Sequence, residues 1–402
     1  MRRGRAVLAI LAITLALDFG LAQVAKRVLP QWHSIMPASN PRMLSPQFHH
    51  GLRPMMDVKA RVGPAIYDFA TNSLGMVDAR PRRIDPAANQ CRYLVIGDSF
   101  TEGFGVGWDK SWAGILAKRW RIDGVDLLNA GVVSYSPTIY YRRVRHLIED
   151  VGLKFGALLV MIDLSDASDE WRSYDLDAQG NVVPIGHVWQ IRPMDDPNWR
   201  DHVRFWIQDN SVIAQLVKDV RQKLRRKRPP APPAAPGPPI PHRPAAPMPL
   251  GEIAVPAPLV EAPPRPPGYV GTLDVENGRW TVDREAFERW GRDGLRVAAE
   301  RMDRLLMLLR RHDIKLTVAV YPWPDQIFAG DRESVQVRFW REWTRARRVD
   351  FIDLFPPFFN ELDPLETIRR YYVRGDFHWS AEGNALIAAR LDQAIEPRRA
   401  CR

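Results

Sequence analysis

The chain has 402 residues, 46% of them hydrophobic, which is enough apolar material for one large domain or two and too much for a disordered chain. Its formal charge is +10, but 57 lysines and arginines are scattered among 47 acids, so no nucleic-acid footprint stands out. Cys91 and Cys401 are the only cysteines, which excludes a disulfide-rich scaffold and leaves room for a single pair.

The amino terminus, MRRGRAVLAILAITLALDFGLAQVAKR, sets three arginines before an apolar segment from Ala6 to Ala25. As a helix, about 20 residues span roughly 30 Å, enough to cross a bilayer. Arginines ahead of the segment favour a cytoplasmic amino end. Asp18 lies past the middle, where an ionisable group costs less than at the bilayer centre. A cleaved signal peptide is the rival, with Ala6 to Leu17 as its core, but no small-x-small site follows. A buried soluble helix is the bland alternative. The expectation is an uncleaved anchor over 1–29 that holds the rest outside the cytoplasm.

Residues 30–90, rich in proline, histidine and methionine, read as a connecting layer. From Arg92 short apolar runs alternate with amphipathic ones: RYLVIG, WAGILAKRW, VDLLNAG, PTIYYRRVRHLIEDVG, ALLVMID. That alternation predicts βαβ units and a central parallel sheet of about five strands. Pro137 suits the first turn of its helix. The first strand breaks in YLVIGDSFTEGFGV, where Gly97 permits a sharp turn and Ser99 falls just past the strand's carboxyl end. In open α/β sheets that edge is where ligands bind.

After Asp163 comes an acidic segment, then a helix-like stretch from about Asp201 to Arg228 that ends in the basic run RQKLRRKR, which reads as a solvated helix end. Pro229 to Gly268 holds 17 of the 35 prolines and cannot pack a core. It reads as a disordered excursion, up to about 120 Å long if fully extended. Periodicity resumes in REAFERWGRDGLRVAAERMDRLLMLLRRHD, where Phe287, Trp290, Val297, Met302, Leu305 and Leu309 share a helical face. The strand KLTVAVYP, a helix over Arg332 to Arg347, the strand DFIDL and a helix over Ser380 to Ile395 follow. The sheet thus starts in 91–228 and finishes in 269–402, one discontinuous α/β domain interrupted by 229–268.

Near the end, GDFHWSAEGNALIAARL places His378 two residues after Asp376, before a helix with Ser380 as N-cap and Glu382 in its first turn. A carboxylate on one ring nitrogen fixes the tautomer that leaves the other free as a base.

With these residues the sequence resembles the SGNH/GDSL hydrolase family. The first block is similar to GDSFTEG, Gly97 to Gly103, with Asp98 inside it and Ser99 in the nucleophile position. The second is similar to NAGVVSYSP at Gly131, and the last to Asp376 and His378. The Asp-x-His-Trp form looks like the branch that includes alginate O-acetyltransferase-like proteins. The resemblance runs from about Asn72 to Ile395, apart from the insert. It implies a three-layer α/β/α, flavodoxin-like fold and acyl transfer through serine, with no cofactor. Ser99 would attack an ester carbonyl, His378 would carry the proton, and Asp376 would orient the ring. The N–H groups of Ser99 and Gly131 would bind the oxyanion. In the third block the chain departs from the family pattern Gly-x-Asn-Asp: Asp163 replaces the glycine and Ser165 falls where the asparagine would donate. Asn129 is expected to hold the second-block loop, and Asp163 and Asp166 to support the site.

The acidic run also admits a metal reading through Asp163, Asp166, Asp169 and Glu170, although its spacing matches no calcium loop and helix capping explains it. Trp379, Trp323 and Asp325 are candidates to line an acyl or sugar pocket, against ordinary packing. In the implied fold the final helix runs back from the catalytic edge for about 24 Å, bringing Cys401 to the edge where Cys91 opens the first strand, so a disulfide is expected.

The leading expectation is an inner-membrane serine esterase or O-acyltransferase facing a bacterial periplasm. It would act on acyl esters of envelope glycans or lipids, an acetylated polysaccharide among them, with no nucleic-acid partner. A catalytically degenerate glycan-binding or scaffolding protein is the second reading. A nucleotide binder is the third, weakened by the absence of a Gly-rich phosphate loop.

Overall fold

Five short apolar runs become the parallel strands of one sheet: β1 (Arg92–Ile96), β2 (Asp126–Asn129), β3 (Ala157–Ile162), β4 (Lys315–Val320) and β5 (Asp350–Asp353). Their order is β5-β4-β3-β1-β2, with Leu94 opposite both Leu128 and Leu158, and Leu158 opposite Leu316. Every residue of β1 and β3 is buried. Strands covered on both faces have no solvent side to alternate with, which is why they read as unbroken apolar runs.

The computed structural model describes residues 2–28, 41–62, 65–88, 91–186, 254–264, 276–360 and 363–401, with residue 273 and scattered positions between 200 and 217. The chain divides into two units. One comprises Met1–Asn40, Lys59–Ile66 and Met194–Pro249; the other comprises Pro41–Val58, Tyr67–Pro193 and Leu250–Arg402 and contains the sheet.

In the larger unit the helices include α1 (Ser99–Glu102), α2 (Trp112–Trp120), α3 (Pro137–Arg145), α4 (Leu164–Arg172), α5 (Arg292–Arg311), α6 (Val335–Arg347), α7 (Pro364–Tyr371) and α8 (Ala381–Ala394). Their starts follow from local chemistry. Ser111 and Ser380 accept the N–H groups of Gly114 and Gly383, and Pro137 opens α3. The helices pack in two groups. Asn384 and Asp392 of α8 accept the Trp112 N–H and the Trp120 ring N–H, each at 3.0 Å. Arg301 of α5 donates to Thr138 of α3 at 3.1 Å, and α5 crosses α4 so closely that a Cβ on Gly294 would meet the Ala167 carbonyl at 1.9 Å. Phe287, Trp290, Val297, Met302, Leu305 and Leu309 are all buried.

Part of the segment read as a connecting layer is sheet: Val77–Asp78 pairs antiparallel with β2 through Val77 and Asn129, and Ala70 of the strand Ala65–Thr71 pairs with Asp78. Of the proline-rich insert, 254–264 belongs to the larger unit. Ala262 N–H donates to the Val282 carbonyl at 2.9 Å, and the Arg338 guanidinium donates to the Ala257 carbonyl. The remainder of Pro229–Gly268, and Arg221–Arg228, lie outside the described residues. Cys91 and Cys401 are joined by a disulfide across a sequence separation of 310.

In the smaller unit the amino terminus forms one helix, Arg2–Val28. Asp18, which interrupts its apolar run, is 8% exposed and accepts the Ile213 N–H at 3.0 Å, while Gln23 donates to Asn210 at 3.0 Å. Among the described residues no helix is long and apolar enough to cross a membrane, so the anchor expected over Ala6 to Ala25 has no support in the fold.

Candidate active site

The turn after β1 is built for close approach. A Cβ on Gly97 would sit 2.2 Å from Thr101 Oγ1 and 3.1 Å from Met161 Cβ. Asp98 caps α1 by accepting the Phe100 N–H at 2.9 Å, and Gly103 closes the turn in the left-handed region. Ser99 is thereby the first residue of a one-turn helix, 7% exposed, and its N–H has no intrahelical acceptor.

His378 reaches this serine from 279 residues away, its Nε2 lying 2.8 Å from Ser99 Oγ. Its loop is folded back on itself. Tyr372 bridges Trp379, Val373 N–H donates to the His378 carbonyl at 2.9 Å, and Gly375 turns the chain at φ 77°. Tyr372 also donates its hydroxyl to the Pro322 carbonyl at 2.7 Å, tying the loop to the exit of β4. Asp376 Oδ1 accepts both the His378 backbone N–H at 2.9 Å and ring Nδ1 at 2.6 Å. Burial raises the Asp376 pKa, but the hydrogen bond and charge of His378 outweigh it and hold the carboxyl below its usual value. An ionised Asp376 keeps the ring proton on Nδ1 and leaves Nε2 to accept from serine. Phe377, Phe104 and Phe100 surround the imidazole at 4.4, 4.8 and 5.0 Å.

Two of the expected oxyanion donors have other partners. Gly131 N–H donates to Asn129 Oδ1 at 2.9 Å, and Ser165 hydroxyl donates to Asp163 Oδ1 at 2.7 Å. Asn129 also donates from Nδ2 to the Thr101 carbonyl at 2.6 Å. Gly131 is required for space, because a Cβ there would lie 2.5 Å from Thr101 Cγ2. Among the described residues no acceptor faces the Ser99 N–H. The loop after β2 is gripped from both sides by residues that sequence reasoning did not single out. Val133 N–H donates to Glu102, which Arg42 holds at 2.7 and 2.9 Å, and the Val133 carbonyl faces His50 Nε2 at 2.9 Å. Burial lowers the His50 pKa to about 3, so its ring is neutral. Glu102 stood in the quoted glycine-rich stretch, but nothing in its spacing pointed to Arg42.

Behind Ser99 lies a buried string of acids. Asp98, Asp163 and Asp166 are 3%, 1% and 1% exposed. Asp163 and Asp166 form a capping box at the start of α4, and Tyr140 donates to Asp166 at 2.9 Å. Burial first, and the Asp163 charge second, push Asp98 and Asp166 well above the usual carboxylate range. The acids of the metal reading have hydrogen-bond partners of their own. Asp169 accepts from Ser173, Glu170 accepts from Ser136 and Thr138, and among the described residues no cluster could hold a metal ion. Trp323 and Trp379, each 1% exposed, and Asp325, 3% exposed, are buried rather than lining an open pocket. Trp323 donates its ring N–H to Asp163 at 2.9 Å and stacks on Phe377 at 4.3 Å.

No protein-family model matches the chain, and no curated protein matches it. Solved structures similar to it include a member of the lipolytic protein G-D-S-L family from Veillonella parvula, 10% identical, covering 76% of this chain and 97% of that one with a TM-score of 0.33. Another is the psychrotrophic esterase EstA from a Pseudoalteromonas species, 9% identical, covering 76% and 96% with a TM-score of 0.33. A GDSL-like lipase from Bacteroides thetaiotaomicron is 10% identical, covers 77% and 91%, and has a TM-score of 0.32. At these scores the likeness carries no weight beside the geometry of Ser99, His378 and Asp376.

Proposed function

We propose that the chain is a serine hydrolase of the SGNH type that cleaves acyl esters. The observation that carries this is the continuous hydrogen-bonded series Ser99 Oγ, His378 Nε2, His378 Nδ1, Asp376 Oδ1, with contacts of 2.8 and 2.6 Å. Nucleophile, base and orienting acid in that arrangement are what acyl transfer requires. Ser99 Oγ bonds to the ester carbon while its proton passes to His378 Nε2. The tetrahedral centre then expels the alcohol, which leaves with that proton. Water, or a sugar hydroxyl in a transferase, repeats the sequence in reverse, its proton going to Nε2 and thence to Ser99 as the acyl bond breaks. Ser99 N–H, at the head of α1, is the donor favoured for the oxyanion.

Action on an envelope glycan and a location outside the cytoplasm are part of this proposal. The Cys91–Cys401 disulfide supports the location, since such bonds persist in oxidising compartments. Binding without turnover is the second reading, favoured by the engagement of Gly131 N–H and Ser165. A fluorophosphonate probe decides between them: it labels Ser99 if the triad works, and labelling retained in Ser99→Ala excludes this mechanism.

A further inference from the structure

We propose that the smaller unit seats in the hydrocarbon of a lipid bilayer as a pair of helical segments, the amino-terminal helix Arg2–Val28 and residues 203–217, held together through their polar side chains. The proposal does not depend on the hydrolase reading.

The pair is turned inside out. In water, two helices meet through apolar side chains and leave the polar ones to solvent. Here polar groups make the contact: Asp18 accepts the Ile213 N–H at 3.0 Å, and Gln23 donates to Asn210 at 3.0 Å. Asp18 and Ala22 are the buried positions among the described residues of the helix, whereas Ile13, Leu15, Leu17, Leu21 and Val24 are 58–66% exposed. The second segment repeats the arrangement, with Ile207, Ile213, Leu216 and Val217 45–58% exposed. Phe19 stacks on Trp206 with ring centroids 6.1 Å apart, yet both rings remain exposed.

The distribution of these side chains selects lipid over a protein partner. At about 3.6 residues per turn, Leu17 and Leu21 lie on one flank of the line through Asp18 and Ala22, Leu15 and Phe19 on the other, and Ile13 and Val24 opposite it. A second copy or a protein groove would cover one of these sides. Hydrocarbon covers them all, offers no hydrogen bonds, and so favours polar groups that face one another. Asp18 is the one charged residue between Ala6 and Ala25, and it is the one turned inward. Cations stand at the ends of the apolar runs: Arg2, Arg3 and Arg5 before the first, Lys26 and Arg27 after it, and RQKLRRKR, Arg221 to Arg228, beyond the second. Such flanks suit lipid headgroups, anionic ones above all. Among the described residues no helix is long and apolar enough to cross a membrane, and a pair seated in lipid with its polar contacts hidden between its members requires no crossing.

The test uses the full chain, reconstituted from detergent with vesicles of phosphatidylcholine and phosphatidylglycerol and separated by flotation. Wild type floats with the vesicles and stays with them in about 1 M salt, where charge attraction is screened within about 3 Å. Leu15→Ser, Leu17→Ser and Leu216→Ser combined alter three outward side chains, so partitioning falls at least about 100-fold. The second measurement places an environment-sensitive dye at Leu17→Cys, whose emission shifts to the blue with vesicles and is quenched by lipids carrying a nitroxide in the acyl chain. The same dye at Ile122→Cys, a position 86% exposed in the larger unit, does neither. The dye decides the matter if the serine variant does not fold. A wild type that stays in the aqueous fraction as monomer or dimer, flotation lost in high salt, a Leu17→Cys dye that the nitroxide lipids do not quench, or a folded serine variant that floats like wild type overturns the proposal. A wild type that floats but that no fluorophosphonate labels overturns the hydrolase reading alone.

Discussion

Replacing Asp376 with asparagine tests the site at the group whose effect is calculable. The asparagine Oδ1 can still accept the His378 backbone N–H, now at 2.9 Å, and the ring N–H, now at 2.6 Å, so the loop and the tautomer are preserved. What is lost is a negative charge beside the imidazolium that forms when Ser99 gives up its proton. Two unit charges with centres about 4 Å apart interact by about 4 kcal/mol at the effective dielectric of a protein surface and about 1 kcal/mol in bulk water. The Asp376 side chain is 29% exposed and that of His378 10%, which places the pair nearer the protein value. The expected loss in kcat is therefore about 100- to 1,000-fold. Hydrolysis of a short-chain nitrophenyl ester, with the rate of fluorophosphonate labelling as a second measure, reports it. A loss below about fivefold in both would refute the assignment of Asp376 as orienting acid.

Ser165→Ala should cost less than about fivefold in kcat, since its hydroxyl is committed to Asp163; a loss of about 100-fold or more would show that it turns to serve the oxyanion. Converting both Cys91 and Cys401 to serine removes a link between residues 310 apart and should lower unfolding free energy by about 2–5 kcal/mol. Unchanged thermal melts, or two thiols titrated in unreduced wild type, would contradict this. Asp331, 1% exposed, is pushed up to about 6 by burial. Because its folded pKa exceeds the unfolded one, the fold favours its protonated form. Stability is therefore lost as pH rises from about 4 through 6, by about 3 kcal/mol for a shift of that size. Asp331→Asn should flatten the fall in melting temperature between pH 4 and 7, and an identical slope in the variant would refute this.

The parallel strands were legible because burial on both faces leaves a simple mark, an uninterrupted apolar run such as ALLVMI ended by a polar turn. Ser99, Asp376 and His378 were legible for a different reason: each follows or precedes a regular element at the carboxyl edge of the sheet. What escaped was anything requiring two distant segments to be superposed. Val77–Asp78 is only two residues long, below the length at which alternation can be seen, and exists because β2 offers it an open edge. Arg42 acquires its role from Glu102, 60 residues on.

Asp163 shows how a correct reading of one residue can miss its job. Asp163 stands where the family pattern has glycine, and Ser165 where that pattern has the donating asparagine. The folded chain uses them together in another way: Ser165 donates to Asp163, Asp163 caps α4, and its second oxygen accepts the Trp323 ring N–H. A carboxylate introduced one side chain behind the nucleophile raises the cost of ionising Asp98. Burial first, and then a charge 65 positions away in the chain, push the Asp98 carboxyl up. Spacing cannot show this, because it depends on burial beside Tyr140, Tyr321 and Trp323.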